Sequence, residues 1–125
     1  MSTDPSSARA FNLDEALQRV DGDRELLAEI AGIFLSDAPA MLADVAASVA
    51  ASDATAVSRT AHRLKGSILT FGAPAASAAA LRLEQSGRTG DLTTAQADVE
   101  QLAIEVERLR VGLEVVVQEQ KEKSA

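Results

Sequence analysis

The sequence lacks cysteine, tryptophan and tyrosine, and it has only three phenylalanines and one histidine among 125 residues. Without cysteine the chain can form no disulfide, no thiolate metal site and no thiol nucleophile. With so few aromatic rings it offers little stacking surface to nucleic-acid bases. One imidazole cannot build a histidine-rich metal site, but it can act as a base or nucleophile near neutral pH. The histidine therefore becomes the first candidate for chemistry.

Positive charge is also scarce, since 12 Lys and Arg face 19 Asp and Glu and leave a net charge of −7. An acidic surface repels phosphate backbones, so we expect no nucleic-acid partner. The N-terminal residues have no apolar run typical of a signal peptide. We expect no apolar stretch as long as the ~18 residues of a membrane span. These observations predict one soluble domain in the cytoplasm with no membrane partner.

Apolar residues recur at helical spacing from about residue 12 to 120, and nothing alternates with the period of a strand. Three helices are predicted to begin at side-chain caps, which are Asn12, Asp23 and Asp53. Gly72 is expected to end the third helix and Pro74 to begin the fourth, which should stop near Gly87 or Gly90 before Asp91 opens the fifth. Pro39 should kink or split the second helix.

Short connections favour antiparallel neighbours, so the predicted fold class is all-α, an antiparallel up-down four-helix bundle with a short additional N-terminal helix. The bundle domain is assigned to residues 11–120, between a flexible N-terminus at 1–10 and a flexible tail at 121–125. Val111, Val115 and Val117 lie outside the apolar seam of the fifth helix. They leave open a helical adaptor or dimerisation module, although we expect the leading helix to cover them and the protein to be a monomer.

The third helix is predicted to turn its histidine towards solvent. Its buried stripe comprises Ala54, Val57, Ala61, Leu64, Ile68 and Phe71. At about 100° per residue, His62 lies roughly 130° from the centre of that stripe, and Gly66 lies almost opposite it. A glycine inside a helix costs about 0.5–1 kcal/mol relative to alanine, and here it leaves room for a partner above the imidazole. Lys65, one turn away, can direct its ammonium towards a group on His62. Leu69 lies on the same face of the helix as His62 and Gly66.

A known family shares this pattern, which reads Ala61-His62-Arg63-Leu64-Lys65-Gly66-Ser67 and continues to Phe71-Gly72. It resembles the histidine-containing phosphotransfer (HPt) domain of two-component phosphorelays, and the resemblance covers most of residues 12–92. Ile68 departs from the family pattern, where a small residue is common, and we expect altered packing there. The resemblance implies a phosphocarrier without kinase ATP-binding motifs, and therefore not an enzyme. Such a carrier accepts a phosphoryl group from one receiver-domain aspartate and transfers it to another.

The resemblance also implies roles for individual residues. His62 is the expected phosphoacceptor, Lys65 the support for the phosphoryl charge, and Glu84 on the next helix the residue that orients the imidazole. From its spacing alone, Glu84 can equally form an i,i+4 pair with Arg88, and the two roles can coexist. The residues assigned to partner docking are Arg59, Arg63, Gly66, Ser67, Leu69 and Arg88. Expected partners are the receiver domains of response regulators or hybrid histidine kinases.

No metal and no cofactor are expected in the chain itself, because the Mg²⁺ of the reaction is expected on the partner receiver domain. A third hypothesis makes His62 the general base of an enzyme such as a phosphatase. The sequence disfavours it, since there are no cleft-forming loops and no second histidine.

Overall fold

The computed structural model describes residues 10–124, and each regular element in that range is an α-helix. The five helices are α1 (Leu13–Gln18), α2 (Arg24–Ala50), α3 (Ala54–Leu69), α4 (Pro74–Thr89) and α5 (Ala95–Ser124). Helix α3 packs between α2 and α4, and α5 packs against the same two helices. The predicted four-helix bundle with a short leading helix is confirmed. Of the N-terminal segment predicted to be flexible, residues 1–9 lie outside the described residues.

Capping side chains stabilise three helix starts at the predicted positions. The acceptors are Asn12, Asp23 and Asp53, whose Oδ1 atoms accept backbone N–H groups at 3.0–3.1 Å. Each bond satisfies one of the amides that a helix start leaves without a partner. Helix α4 begins with Pro74 in its first turn and ends before Gly90, which adopts a left-handed φ of 83°. The termini of these helices therefore follow from local sequence.

Some boundaries differ from expectation. Asp91 does not open α5, because its Oδ1 accepts hydrogen bonds from the backbone N–H and the hydroxyl of Thr93 at 3.0 and 2.6 Å. This local turn competes with helix formation, and α5 begins only at Ala95. The helix then continues to Ser124, beyond the predicted domain end at residue 120. Pro39 lies inside α2, which is continuous and not split.

The core lies between the four long helices. Phe34 of α2 meets Phe71, which follows α3, edge to face with ring centroids 5.4 Å apart. The predicted stripe of α3 faces this core, with Ala54 half-buried and the other members buried. Ile68 is among the fully buried members, so its bulk fills the core. Burial of each large aliphatic side chain stabilises the folded state by roughly 1.5–3 kcal/mol. Because this buried stripe fixes the rotation of α3, it also fixes which residues face outwards.

Helix α2 is more apolar than the sequence led us to expect. An 18-residue window reaches a mean hydropathy of 1.6, so length and composition alone would allow this helix to cross a membrane. The expectation that no stretch reaches this length was therefore wrong. In the bundle, one face of α2 buries Leu27, Phe34, Met41 and Val45 against the other helices.

The leading segment covers only part of α5. Phe11 packs so closely that a Cβ at Gly112 would lie 2.9 Å from its Cε1 atom. Val117 is half-buried, but Val111 and Val115 are 45% and 53% exposed. The expectation that the leading helix covers these two valines is wrong, because they lie on the face of α5 opposite its buried seam.

Candidate functional site

His62 projects from the middle of α3, and 65% of its side chain is exposed. Its Nδ1 atom lies 3.0 Å from Oε2 of Glu84 on α4. A carboxylate accepts a hydrogen bond, so this contact places the proton of a neutral imidazole on Nδ1 and leaves Nε2 as the free lone pair. The prediction that His62 faces solvent is confirmed.

Close contact between α3 and α4 makes this bond possible, and Gly87 permits the contact. A Cβ at Gly87 would overlap the backbone nitrogen of Ser58 and lie 2.6 Å from the carbonyl oxygen of Ala54. Glu84 lies three residues earlier on the same buried face of α4. In the sequence, Gly87 is indicated only as a possible end of this helix. The available signal was a glycine inside an otherwise helical segment, which often marks close packing.

Glu84 is the centre of the site, since its side chain is only 1% exposed and binds three other side chains. Lys65 Nζ lies 2.7 Å from Oε1. Arg88 Nη2 lies 2.5 Å from Oε2, the oxygen that also faces the imidazole. A buried carboxylate is stable only when such donors compensate for lost hydration. The structure thus brings the three predicted residues His62, Lys65 and Glu84 together, with Arg88 paired to Glu84 across one helical turn.

The pKa of Glu84 reflects this balance. Burial favours the neutral acid and by itself raises the pKa. Hydrogen bonds from Lys65 and His62, with the positive charges of Lys65 and Arg88, outweigh burial and lower the pKa below its ordinary value of 4.5. Glu84 therefore remains a carboxylate at neutral pH, as an acceptor for the Nδ1 proton must.

This lowered pKa predicts that Glu84 contributes acid-sensitive stability. Above the unfolded-state pKa of 4.5 its contribution is fully present. As the pH falls towards the lower folded-state pKa, protonation of the unfolded chain removes that contribution. We expect wild-type protein to lose more unfolding free energy than Glu84→Gln between about pH 6 and pH 3, measured by urea unfolding. Parallel pH profiles for the two proteins would contradict this prediction.

Most of the predicted docking residues surround the imidazole on the outside. Arg59 and Arg63 are exposed on α3. A Cβ at Gly66 would meet nothing within 4 Å, so the space above this glycine is open. Leu69 is 44% exposed on the same helix. Together with His62, these four residues form one continuous surface, which we call the docking face.

Two residues predicted for docking make contacts within the protein. Ser67 is half-buried, and its hydroxyl points towards Met41 Sδ on α2 at 3.9 Å. Arg88 binds Glu84, although 63% of its side chain is exposed. Direct contact of either residue with a partner stays a prediction.

The charge of α3 contrasts with that of the whole chain. Its basic residues are Arg59, Arg63 and Lys65, and it has no Asp or Glu, whereas the chain carries a net charge of −7. Positive charge is thus concentrated around His62, where it would attract an anionic group. Within residues 10–124, no group of three or more His, Asp or Glu side chains is arranged to hold a metal ion.

Comparison with known proteins agrees with the helical fold and identifies the family. The Hpt domain family matches residues 29–112. The crystal structure of histidine-containing phosphotransfer protein B (HptB) from Pseudomonas aeruginosa PAO1 is similar, with a TM-score of 0.82 and 26% sequence identity. That match covers 90% of this chain and 97% of HptB. A search of curated proteins found no match. The chain belongs to the Hpt domain family, histidine-containing phosphotransfer proteins that act as intermediates in phosphorelays.

Proposed function

We propose that His62 is the residue that carries the phosphoryl group, bonded to Nε2. One observation supports this above all: the single histidine of the chain is 65% exposed, and its Nδ1 atom is bound by the buried carboxylate of Glu84. The imidazole is thereby oriented with its free nitrogen towards solvent. A nucleophile whose second nitrogen is oriented by a carboxylate is the arrangement that activated histidines require.

The proposed transfer needs no proton to leave the ring. The Nε2 lone pair attacks the phosphorus of an aspartyl phosphate, the N–P bond forms, and the bond between phosphorus and the aspartyl oxygen breaks. The leaving group is the aspartate carboxylate of the donor. The ring retains its Nδ1 proton and becomes a phosphorylated imidazolium. Transfer to a second receiver aspartate reverses these steps.

Glu84 and Lys65 stabilise the charges that develop in this reaction. Positive charge appears on the ring during attack, and the Glu84 carboxylate lies 3.0 Å from Nδ1 to stabilise it. A phosphoryl group carries between one and two negative charges near neutral pH, for which the Lys65 ammonium is a suitable counter-ion. Fixed charges that are already oriented before the reaction lower its barrier.

The docking face fits the proposed partner, a receiver domain that presents its phosphorylated aspartate in an acidic pocket. Arg59 and Arg63 provide complementary charge, and the open space over Gly66 lets the partner surface approach the imidazole. Oppositely charged surfaces mainly accelerate encounter. In this proposal the receiver contributes the Mg²⁺, and the chain is a cytoplasmic monomer that binds no ATP. Membership in the Hpt family does not favour the alternative of a non-catalytic adaptor.

Transfer from receiver domains tests the proposal directly. We expect the wild-type protein to take radiolabelled phosphoryl from at least one member of a panel of phosphorylated receivers. The label should be lost in acid, because a phosphoramidate N–P bond is acid-labile. The rate should fall as the salt concentration rises from about 0.05 to 0.5 M, since salt screens the attraction of the docking face. Failure of every receiver in the panel to label the protein would contradict the proposal.

A further inference from the structure

We propose that Arg88 is a positioning residue whose ion pair with Glu84 allows Lys65 to exchange partners. In the free protein Lys65 binds the Glu84 carboxylate, and in the phosphorylated protein it binds the phosphoryl group. This inference rests on the proposed function of His62. It assigns Arg88 a role within the protein, distinct from direct contact with a receiver domain.

In the free protein Lys65 is already paired with Glu84. Its Nζ atom is 2.7 Å from Glu84 Oε1, and only 20% of the side chain is exposed. Any phosphoryl group on Nε2 must therefore compete with a buried carboxylate for this ammonium. Lysine is suited to such an exchange, because its ammonium is a compact charge on a flexible stem.

Arg88 provides the second cation that makes the exchange possible. Its guanidinium binds Oε2 at 2.5 Å, so each carboxylate oxygen of Glu84 has its own cationic partner. Arg88 lies one turn after Glu84 on the same helix, which keeps this pair together when Lys65 moves. The carboxylate would then retain a counter-ion throughout.

The charges of the cluster explain why Glu84 needs a second cation besides Lys65. The free cluster contains one anion, Glu84, and two cations, Lys65 and Arg88. Phosphorylation adds a phosphoryl group of about 1.5–2 negative charges and makes the imidazole a cation beside Glu84. With Arg88 present, Lys65 can pair with the phosphoryl group while Arg88 pairs with Glu84. Without Arg88, a move of Lys65 to the phosphoryl group leaves the imidazolium as the one cation beside a carboxylate that is 1% exposed, so this buried carboxylate competes more strongly for Lys65.

A small phosphoryl donor separates this role from partner docking. Phosphoramidate can phosphorylate an exposed imidazole without presenting any protein surface. We would follow His62 phosphorylation by ³¹P NMR in wild type, Arg88→Ala, Arg88→Lys, Glu84→Gln and the double variant Glu84→Gln/Arg88→Ala. Circular dichroism and thermal unfolding would show whether each variant is folded. We expect so, because Arg88 is 63% exposed and glutamine at position 84 keeps the size of the buried side chain without its charge.

We expect Arg88→Ala to slow phosphorylation about ten-fold, the effect of losing one charge-assisted hydrogen bond, and Arg88→Lys to recover most of the rate. In the Glu84→Gln background, Arg88→Ala should have little further effect, since no buried carboxylate then competes for Lys65. An equal Arg88→Ala effect in both backgrounds would overturn the inference, because Arg88 would then act on the phosphoryl group directly. An unchanged rate in Arg88→Ala would overturn it as well.

These outcomes differ from failure of the proposed function. If wild-type protein formed no phosphohistidine with phosphoramidate or with any receiver, the assignment of His62 would fail, and this inference with it. If wild-type protein were phosphorylated and the Arg88 effect were independent of Glu84, only the exchange of Lys65 would be rejected.

Discussion

The His62→Gln variant is expected to accept no phosphoryl group from any donor while folding like the wild type. Glutamine retains a polar side chain that can still bond Glu84, but its amide nitrogen has no nucleophilic lone pair. The sequence has no second histidine to replace it. Loss of label should therefore be complete, measured as acid-labile radioactivity after incubation with a phosphorylated receiver.

A distant substitution serves as the control for this experiment. Glu100 is exposed on α5, and Glu100→Gln should leave labelling unchanged. Because 65% of the His62 side chain is exposed, His62→Gln should retain the helical circular dichroism and cooperative unfolding of the wild type. Acid-labile label on a folded His62→Gln protein would exclude His62 as the phosphoacceptor.

The second large effect concerns the stability of the fold. Gly87→Ala should lower the free energy of unfolding by about 1–3 kcal/mol. The added methyl group would overlap the backbone of α3 at Ser58, and a backbone cannot move aside as a flexible side chain can. Helices α3 and α4 would have to separate near the site. The hydrogen bond between His62 and Glu84 spans this interface, so phosphorylation of His62 should also slow. Urea unfolding measures the first effect and ³¹P NMR the second.

Gly66→Ala is the matched control, since Gly66 is also a glycine inside a helix but faces open space. Here alanine should stabilise the protein by about 0.5–1 kcal/mol, because it removes the conformational cost of glycine without any overlap. The changes in the free energy of unfolding are therefore expected to have opposite signs in the two variants. Equal effects would show that helix propensity, and not the contact between α3 and α4, explains the glycine at position 87.

The local pattern of α3 was enough to predict which way its residues face. Apolar residues at steps of three and four define the buried stripe, and the rotation per residue then places His62 outside. Capping residues such as Asn12 and Asp53 likewise predicted helix starts, because a cap bonds amides only two or three residues away. Asp91 shows the limit of this reasoning. An aspartate that caps a helix and one that forms a local turn look alike in sequence, and here Asp91 forms the turn.

The contacts of the site could not be obtained in this way. Helix α4 is rich in alanine, so its apolar pattern has little contrast, and its buried face is marked mainly by Leu83, Glu84 and Gly87. The family resemblance pointed to Glu84, but it did not show that both oxygens of Glu84 carry cations. Nor did it show that Ser67 faces α2. These facts depend on the distance and rotation between helices.

By itself, then, the sequence determined the helical class, most helix starts, the exposure of His62 and, through the motif around it, the family. These properties arise within single helices, where hydrogen bonds and side-chain spacing act over a few residues. Only the tertiary structure decided that His62 and Lys65 of α3 meet the buried carboxylate of Glu84 and that Gly87 sets the separation of α3 and α4. The physical reason is that these contacts join residues on different helices, whose separation is set by packing of the whole core.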